Sequence, residues 1–515
     1  MPRTRTRTVT AAAGVALVLA ALGAAPAPGG LRWGACPEPR VPDGMRCASI
    51  DVPLDYEGKR KGSVRLLLGR IPAADPERRL GSLVLNYGGP GAPGIASLAA
   101  DPTAFAELGK RYDLVAFDPR GVGHSEPVSC GAGQEAAEEA EVSGDGAAAL
   151  LAALRARVRR CESASGPVLP YIGTVNVSRD MDRIRQALGE DKLDFLGFSY
   201  GSRLGAVYAA QFPDKTGRMV LDGVDTLTEP LAEQALVSAR GQQRALDNFL
   251  AWCAHRPGCV YGTNTRSAKE EVAALVERLD KVPLIGHDGS YFTGQDAVGA
   301  IGAALYSPST WPALADALAL AEQRRDPAGL LQLGGPLEGE ESGGAGRGGG
   351  SDVPADNAEA ALAAVNCADD PDRLKAEGSP AALTKQLLDI QEKLRGEFLK
   401  ASEVFGPEQL LTVLACYGRP AGTDFIRRID HPGAPRMLLV GTRGDPATPY
   451  EWTEETAQRL GSAVIVDHKG DGHTGYSSSR CVQGYVDRFL IDGRLPSGTR
   501  SCPAEGAPPA VAGAE

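Results

Sequence analysis

Residues 193–201, Leu-Asp-Phe-Leu-Gly-Phe-Ser-Tyr-Gly, carry the pattern from which the fold is inferred. The short apolar run at 193–196 is typical of a buried strand, and a helical stretch follows at 204–211. Between them, residues 197–201 fit G-x-S-x-G, in which a strained strand-to-helix turn exposes the serine and the glycines let neighbouring backbones pass. The motif also occurs by chance in ordinary glycine-rich turns, but its flanking strand and helix favour Ser199 as a nucleophile.

Similar apolar runs lie on both sides of this motif, bounded by Gly, Pro and Asp. Runs of this kind read as strands buried on both faces, and helical stretches such as 180–188 lie between them. Strands that alternate with helices predict an α/β fold with a mostly parallel central sheet and right-handed crossovers. The further runs are 64–68, 82–85, 114–117, 219–221, 437–440 and 463–466.

The strand pattern is interrupted between about 226 and 430, where long Ala/Leu/Glu-rich stretches such as 231–253 and 383–398 look helical. We interpret this region as a mainly helical cap inserted into the sheet domain. Its glycine-rich tract 334–356, which contains SGGAGRGGGS, reads as a linker. The predicted divisions are a signal peptide at 1–30, the first part of the core at 31–225, the cap at 226–430 and the second part of the core at 431–515.

The net charge argues against one broad class of function. The 515 residues include 54 Lys and Arg against 65 Asp and Glu, which gives a formal net charge of −11. Without a basic footprint, nucleic-acid binding is disfavoured.

The N-terminal residues predict export. Arg3, Arg5 and Arg7 precede an apolar run at 11–22 and a small-residue stretch at 23–27, the arrangement of a secretory signal peptide. The alternative, a membrane anchor, is disfavoured because the run is shorter than the ~20 residues that span a bilayer. We therefore expect a secreted, extracellular protein with no membrane association once the signal peptide, and any short propeptide after it, is removed.

Ten cysteines, an even number, agree with an oxidising compartment. None forms a C-x-x-C pair, so we expect no zinc or other metal site. About 945 pairings are open to ten cysteines, and we predict that sequence neighbours pair. The predicted pairs are Cys36 with Cys47, Cys130 with Cys161, Cys253 with Cys259, Cys367 with Cys416, and Cys481 with Cys502.

A serine nucleophile needs a base to take its proton and a carboxylate to orient that base, in the chain order Ser, Asp or Glu, His. Asp445 follows the strand run 437–440 on a Gly/Pro-fixed loop, where an open α/β sheet places functional groups. The alternative for Asp445 is a residue that only stabilises its turn. His473 lies in the loop beyond the run 463–466 and is assigned as the base, with His468 as a lesser candidate.

The glycine-rich loop at 86–91, Asn-Tyr-Gly-Gly-Pro-Gly, follows another strand run. A tetrahedral intermediate needs amide donors aimed at its oxyanion, and we assign them to Gly89 and to Tyr200, the residue after the nucleophile. A phosphate-binding loop is disfavoured because the required glycine spacing is absent. We interpret 118–125 as a structural turn in which Asp118 and Arg120 hold loops by ion pairing.

Together these motifs resemble the α/β-hydrolase peptidases of the prolyl aminopeptidase group, in particular the secreted tripeptidyl aminopeptidases of actinobacteria. Tyr87 departs from the pattern, because relatives usually carry Pro or His before the glycines. The resemblance is weakest over the inserted region and includes the closing segment 481–502. The motifs that carry it are NYGGPG at 86–91, DPRGVGHS at 118–125, LGFSYGSRLG at 196–205, MVLDGV at 219–224, GDPATP at 444–449 and GDGHT at 470–474.

The resemblance implies an exopeptidase that releases short peptides, tripeptides in particular, from the free N-terminus of a polypeptide. We expect it to act as a monomer without metal or organic cofactor. Such an enzyme must capture the substrate ammonium, and Asp369 and Asp370 in the insertion are the first candidates because an anion pairs well with a cation. The alternative for both is a solvated turn.

Two other functions are compatible with the same motifs. An esterase or lipase-like hydrolase uses the same three residues, so the sequence of the triad does not separate it from a peptidase. A catalytically silent, hydrolase-like binding protein is the second alternative, which the intact Ser, Asp and His disfavour.

Overall fold

The apolar runs of the sequence form one nine-stranded sheet with the strand order β1-β2-β4-β3-β5-β6-β9-β10-β11. The computed structural model describes residues 30–131, 146–287, 289–334, 352–370, 379–416, 426, 429, 433–498 and 500–505. The sheet strands are β1 Arg46–Pro53, β2 Ser63–Ile71, β3 Gly81–Asn86, β4 Tyr112–Phe117, β5 Leu193–Phe198, β6 Thr216–Asp222, β9 Leu438–Gly444, β10 Val464–Asp471 and β11 Ser501–Cys502.

Pairing is parallel from β4 through β3, β5, β6, β9, β10 and β11. Within this sheet, the antiparallel pairs among the described residues are β1–β2 and β2–β4 at one edge. Every residue of β3 and β4 is buried, as expected for parallel strands covered on both faces. The predicted α/β class with a mostly parallel sheet is confirmed.

Helices connect and cover these strands. The predicted stretch 180–188 lies in a helix that ends where Gly189 takes a left-handed conformation (φ 76°), the common stop signal of a helix. The helices outside the insertion are α1 Gly94–Ala100, α2 Gly146–Ser165, α3 Thr174–Leu188, α4 Tyr200–Gln211, α13 Tyr450–Leu460 and α14 Arg480–Asp492.

Between β6 and β9, the described residues are mainly helical, with one small antiparallel hairpin, β7 Leu284–Ile285 with β8 Tyr291–Phe292. Part of this region has an apolar core of its own, to which Phe249, Trp311 and Phe405 belong. The proposed divisions at 226 and 430 stay predictions, and most of the glycine-rich tract falls outside the described residues. The helices here are α5 Leu231–Cys253, α6 Thr265–Lys281, α7 Gly294–Ala304, α8 Trp311–Arg324, α9 Ala328–Gly334, α10 Asn357–Asp369, α11 Pro380–Ala401 and α12 Gly406–Leu414.

All ten cysteines form disulfides, and the bonds join the five neighbour pairs predicted from the sequence. Cys367–Cys416 links α10 to the residues after α12, and Cys481–Cys502 links α14 to β11. The predicted signal peptide lies outside the described residues. Within the ranges given above, no helix is both long enough and apolar enough to cross a membrane.

Candidate active site

Ser199 lies at the turn between β5 and α4, as the sequence predicts. It is half-buried and has a positive φ of 55°, which a side-chain-bearing residue adopts only under strain. Its backbone N–H donates to the carbonyl oxygen of Asp222 at 2.9 Å, and its own carbonyl oxygen accepts from Ser202 Oγ at 2.5 Å. These bonds hold the strained turn at the carboxyl end of β5.

The glycines of the G-x-S-x-G motif are required because neighbouring backbone segments lie very close to them. A Cβ on Gly197 would come within 2.4 Å of the Gly201 carbonyl oxygen, and a Cβ on Gly201 within 2.7 Å of the Asn86 carbonyl oxygen. A Cβ on Gly88 would come within 2.9 Å of Ser199 Cβ. The glycine-rich loop after β3 therefore packs directly against the serine turn, where only glycine fits.

Asp445 and His473 meet at the ends of β9 and β10. The His473 Nδ1 atom lies 2.9 Å from Asp445 Oδ1 and 3.0 Å from Oδ2. The Asp445 side chain is buried and also accepts hydrogen bonds from the backbone N–H groups of Ala447, Thr448 and Thr474, and from Thr448 Oγ1. With so many donors the carboxylate is fixed, and it holds the imidazole through Nδ1.

His473 and Ser199 both contact the turn that follows β6. Asp222 accepts the Ser199 N–H, and a Cβ on the next residue, Gly223, would lie 3.4 Å from His473 Cε1. Two chain segments remote in sequence therefore converge on one short turn at the carboxyl edge of the sheet, where open α/β sheets bind ligands.

Negative charge surrounds the imidazole. Burial disfavours the imidazolium and by itself lowers the pKa of His473. The charge and hydrogen bond of Asp445, together with the charges of Asp222 and Asp225, outweigh burial and hold this pKa above its usual value of 6.5. The arrangement therefore favours a base that accepts a proton readily.

Asp222 is a candidate positioning residue to which the sequence analysis assigned no role. Its buried carboxylate accepts from the backbone N–H of Gly475 at 2.9 Å and of Tyr476 at 2.7 Å, just beyond His473. Burial raises the pKa of Asp222 to about 6. The sequence does contain an indication of this residue. Asp222 directly follows the apolar run 219–221, and Asp445 likewise lies shortly after the apolar run 437–440.

The two assigned oxyanion donors lie on the two segments that pack together here. Tyr200 is the first residue of α4, so its N–H precedes the intrahelical hydrogen-bond ladder. Gly89 is exposed, and no hydrogen bond of its N–H is found in the part of the chain that the structure describes. Neither position contradicts the assignment of these two amides, which stays a prediction.

Asp369 and Asp370 are buried and already bonded to protein groups. Asp369 accepts from the Thr174 N–H at 2.8 Å and from Thr174 Oγ1 at 2.5 Å, and lies 3.9 Å from an Arg203 nitrogen. Asp370 accepts from the N–H of Leu231 at the start of α5. The solvated-turn alternative is therefore wrong, and these bonds favour a structural role over ammonium binding.

Two other sequence expectations concern His468 and the turn that contains Asp118 and Arg120. His468 lies within β10, is buried and pairs through Nδ1 with Thr442 Oγ1 at 3.1 Å, so its ring is tied to the neighbouring strand. The ion pairing expected of Asp118 is wrong, because this carboxylate accepts from the backbone N–H groups of Ile95 and His124. Arg120 does form an ion pair, with Asp180 at 2.6 Å.

The sequence is similar to two known protein families and to several known proteins. Residues 81–308 match the family described as alpha/beta hydrolase fold, and residues 402–502 match the family described as TAP-like protein. Serine protease Hip1 of Mycobacterium tuberculosis is 33% identical over 498 residues, which cover 92% of this chain and 91% of that protein. Carboxylesterase B of the same species is 32% identical (89% and 86% covered), and tripeptidyl aminopeptidase of Streptomyces lividans is 29% identical (95% and 90% covered).

These similarities extend over both parts of the sheet and the region inserted between them. The match to the alpha/beta hydrolase family agrees with the strand order of the sheet and with the motifs that carry the resemblance in the sequence. The chain therefore belongs to the α/β-hydrolase family, in the group of serine hydrolases that contains Hip1 and the Streptomyces tripeptidyl aminopeptidases.

Proposed function

We propose that this protein is an exported serine exopeptidase that releases short peptides, tripeptides in particular, from the free N-terminus of polypeptides. The observation that carries the proposal is the 2.9 Å contact between Asp445 and His473, at the turn that also holds Ser199. The names of Hip1 and of the Streptomyces relative support a peptidase. Five disulfides, which persist in oxidising compartments, support export.

In the proposed mechanism, Ser199 Oγ attacks the scissile carbonyl while His473 takes its proton. Asp445 keeps the proton of the imidazole on Nδ1 and stabilises the positive charge that forms. The amides of Gly89 and Tyr200 donate to the oxyanion of the tetrahedral intermediate. His473 then protonates the leaving amine, and water hydrolyses the acyl-enzyme by the same steps.

The free N-terminus of the substrate must be recognised within the site. A free ammonium group needs a carboxylate partner within the site. Asp369 and Asp370 are not included, because Thr174 and Leu231 already donate to them. The requirement for a free N-terminus is therefore tested on the substrate.

The test compares three substrates with purified protein: a tripeptide amide, its N-acetylated form and a simple aryl ester. We expect release of the intact tripeptide, identified by mass spectrometry, loss of activity on acetylation, and no activity in Ser199→Ala. Preference for the ester, or indifference to acetylation, contradicts an aminopeptidase.

The similarity to carboxylesterase B favours an esterase as the second candidate. The same machinery cleaves esters, so the ester arm of the experiment separates the two. Labelling with a fluorophosphonate tests the third possibility, a silent binding protein, for which the folded wild-type protein stays unlabelled at Ser199.

A further inference from the structure

Tyr306 connects the inserted region to the proposed base. The Tyr306 and His473 ring centroids lie 4.9 Å apart with an interplanar angle of 69°, an edge-on arrangement. The Tyr306 carbonyl oxygen also accepts the backbone N–H of His473 at 2.8 Å. Nevertheless, Tyr306 is 42% exposed, so part of its ring faces solvent beside the base.

The segment that carries Tyr306 is fixed at both ends. It follows α7, to whose last turn the Leu305 N–H donates, with the carbonyl oxygens of Ile301 and Gly302 both at 3.1 Å. At its other end, Thr310 Oγ1 donates to the carbonyl oxygens of Ala304 and Ser307, both at 2.6 Å. The Tyr306 N–H donates to Ala303 at 3.2 Å. The ring is thus presented from a defined loop.

Two sides of the imidazole are already occupied. Asp445 lies against Nδ1, and Gly223 lies beside Cε1. Tyr306 therefore meets His473 at a ring face or at the Cδ2–Nε2 edge. Nε2 is the atom that must protonate the leaving group in the proposed mechanism, and the 4.9 Å between the ring centroids places the tyrosine next to the imidazole that carries it.

We propose that the Tyr306 ring forms the wall that receives the residue directly after the scissile bond. It acts there as a specificity-determining contact for bulky apolar leaving groups. The inference rests on the proposed function, because it requires His473 to be the general acid. An exposed aromatic ring offers a large apolar contact area, which a glycine at that substrate position leaves unused.

The experiment uses tripeptides extended by one residue, either Phe or Gly, and measures kcat/KM for each. We expect the wild-type enzyme and Tyr306→Phe to prefer the Phe substrate. Tyr306→Ala should lose about tenfold on the Phe substrate and change little on the Gly substrate, since removing one apolar contact costs 10- to 200-fold at most. Tyr291→Ala is the matched control, because Tyr291 is an exposed tyrosine of the β7–β8 hairpin.

The rate of fluorophosphonate labelling separates this role from a positioning effect. Its fluoride leaving group is too small to reach a side-chain wall, but labelling still requires a correctly placed base. We expect equal labelling rates in the wild-type protein and Tyr306→Ala. Equal loss of labelling and of both peptide activities means that Tyr306 only positions His473, and this overturns the proposal.

An unchanged Phe-to-Gly ratio in Tyr306→Ala also overturns it, as does a wild-type enzyme with no preference. Failure of the proposed function looks different, because the wild-type enzyme then releases no tripeptide. If it cleaves esters instead, the same variants are compared on esters that differ only in the alcohol, where Tyr306→Ala should again lose the preference for a bulky leaving group.

Discussion

Asp222 shows how one buried side chain organises several parts of the site. Its carbonyl oxygen binds the serine turn, while its carboxylate binds the backbone directly after His473. It also adds negative charge near the imidazole. We therefore regard it as a positioning residue for both the nucleophile and the base.

Asp222→Asn is expected to lower kcat/KM by about 10- to 100-fold, because the His473 loop loses a charged acceptor and small displacements are costly.

The raised pKa of His473 places the acid limb of the wild-type pH profile above 6.5, since activity needs the neutral imidazole. Removing one negative charge destabilises the imidazolium, so the limb should move to lower pH. Kinetics across pH measure both effects.

The matched control is Asp118→Asn, which also changes a buried carboxyl whose pKa burial raises to about 6. Asp118 binds the backbone N–H groups of Ile95 and His124 and none of the His473 loop. Its acid limb should stay at the wild-type position. A limb that is unchanged in Asp222→Asn would contradict the role given to that residue.

Tyr87, in the glycine-rich loop after β3, offers a prediction on stability. Its ring packs with Phe198, centroids 6.0 Å apart, beneath the serine turn. Its hydroxyl is buried and has no hydrogen-bond partner within the described residues. Tyr87→Phe should therefore raise the free energy of unfolding by about 1 kcal/mol, because an unsatisfied polar group is removed while the ring is kept.

Urea unfolding measures this change, and Tyr112→Phe provides the comparison. The Tyr112 hydroxyl donates to the Leu490 carbonyl oxygen at 2.6 Å and contacts Asp194 at 2.9 Å. Its removal should lower the free energy of unfolding by about 1 kcal/mol. Equal losses in both variants would show that the Tyr87 hydroxyl has a partner after all.

At the scale of elements, Arg120 and Asp180 join the turn after β4 to α3. Both side chains are fully buried, and two Arg120 nitrogens reach the two Asp180 oxygens at 2.6 and 2.7 Å. Arg120 also donates to the carbonyl oxygens of Leu54 and Tyr171. The pair satisfies the guanidinium within a dry environment.

Asp180→Ala is expected to lower the free energy of unfolding by about 3–5 kcal/mol, since it leaves a buried guanidinium without its counterion. Replacing both partners, by Arg120→Met and Asp180→Leu, should recover part of that loss because no lone charge remains. Urea unfolding at neutral pH measures all three proteins. A double variant that is less stable than the single one would contradict this account.

The same elements show what could be predicted from the sequence. Ser199, Asp445 and His473 could be proposed because each follows an apolar run that specifies a buried strand, and strand ends can be read locally. The partner of Arg120 was missed because Asp180 lies 60 residues away on a helix face. The contacts of Asp222 and Tyr306 likewise depend on tertiary packing between distant segments, which no local pattern encodes.

The disulfides act at the scale of the whole molecule. Cys367–Cys416 has a sequence separation of 49 residues, whereas Cys253–Cys259 has one of 6. Loop-closure entropy predicts a stabilisation of about 4 kcal/mol for the first and about 2 kcal/mol for the second. Cys367→Ala/Cys416→Ala should therefore lower Tm more than Cys253→Ala/Cys259→Ala. Thermal unfolding of both double variants measures the difference, and the reverse order would contradict it.

The His473 loop is held from two directions. The Tyr306 carbonyl oxygen binds it from the inserted region, and Asn248 on α5 donates to Asp471 at 2.6 Å, while Asp222 binds it from the sheet. Grafting the insertion of one family member onto the sheet of another would therefore exchange part of the hydrogen-bonding environment of the proposed base. Such a hybrid has to keep residues 306, 248 and 471 together with their hydrogen-bond partners as a matched set.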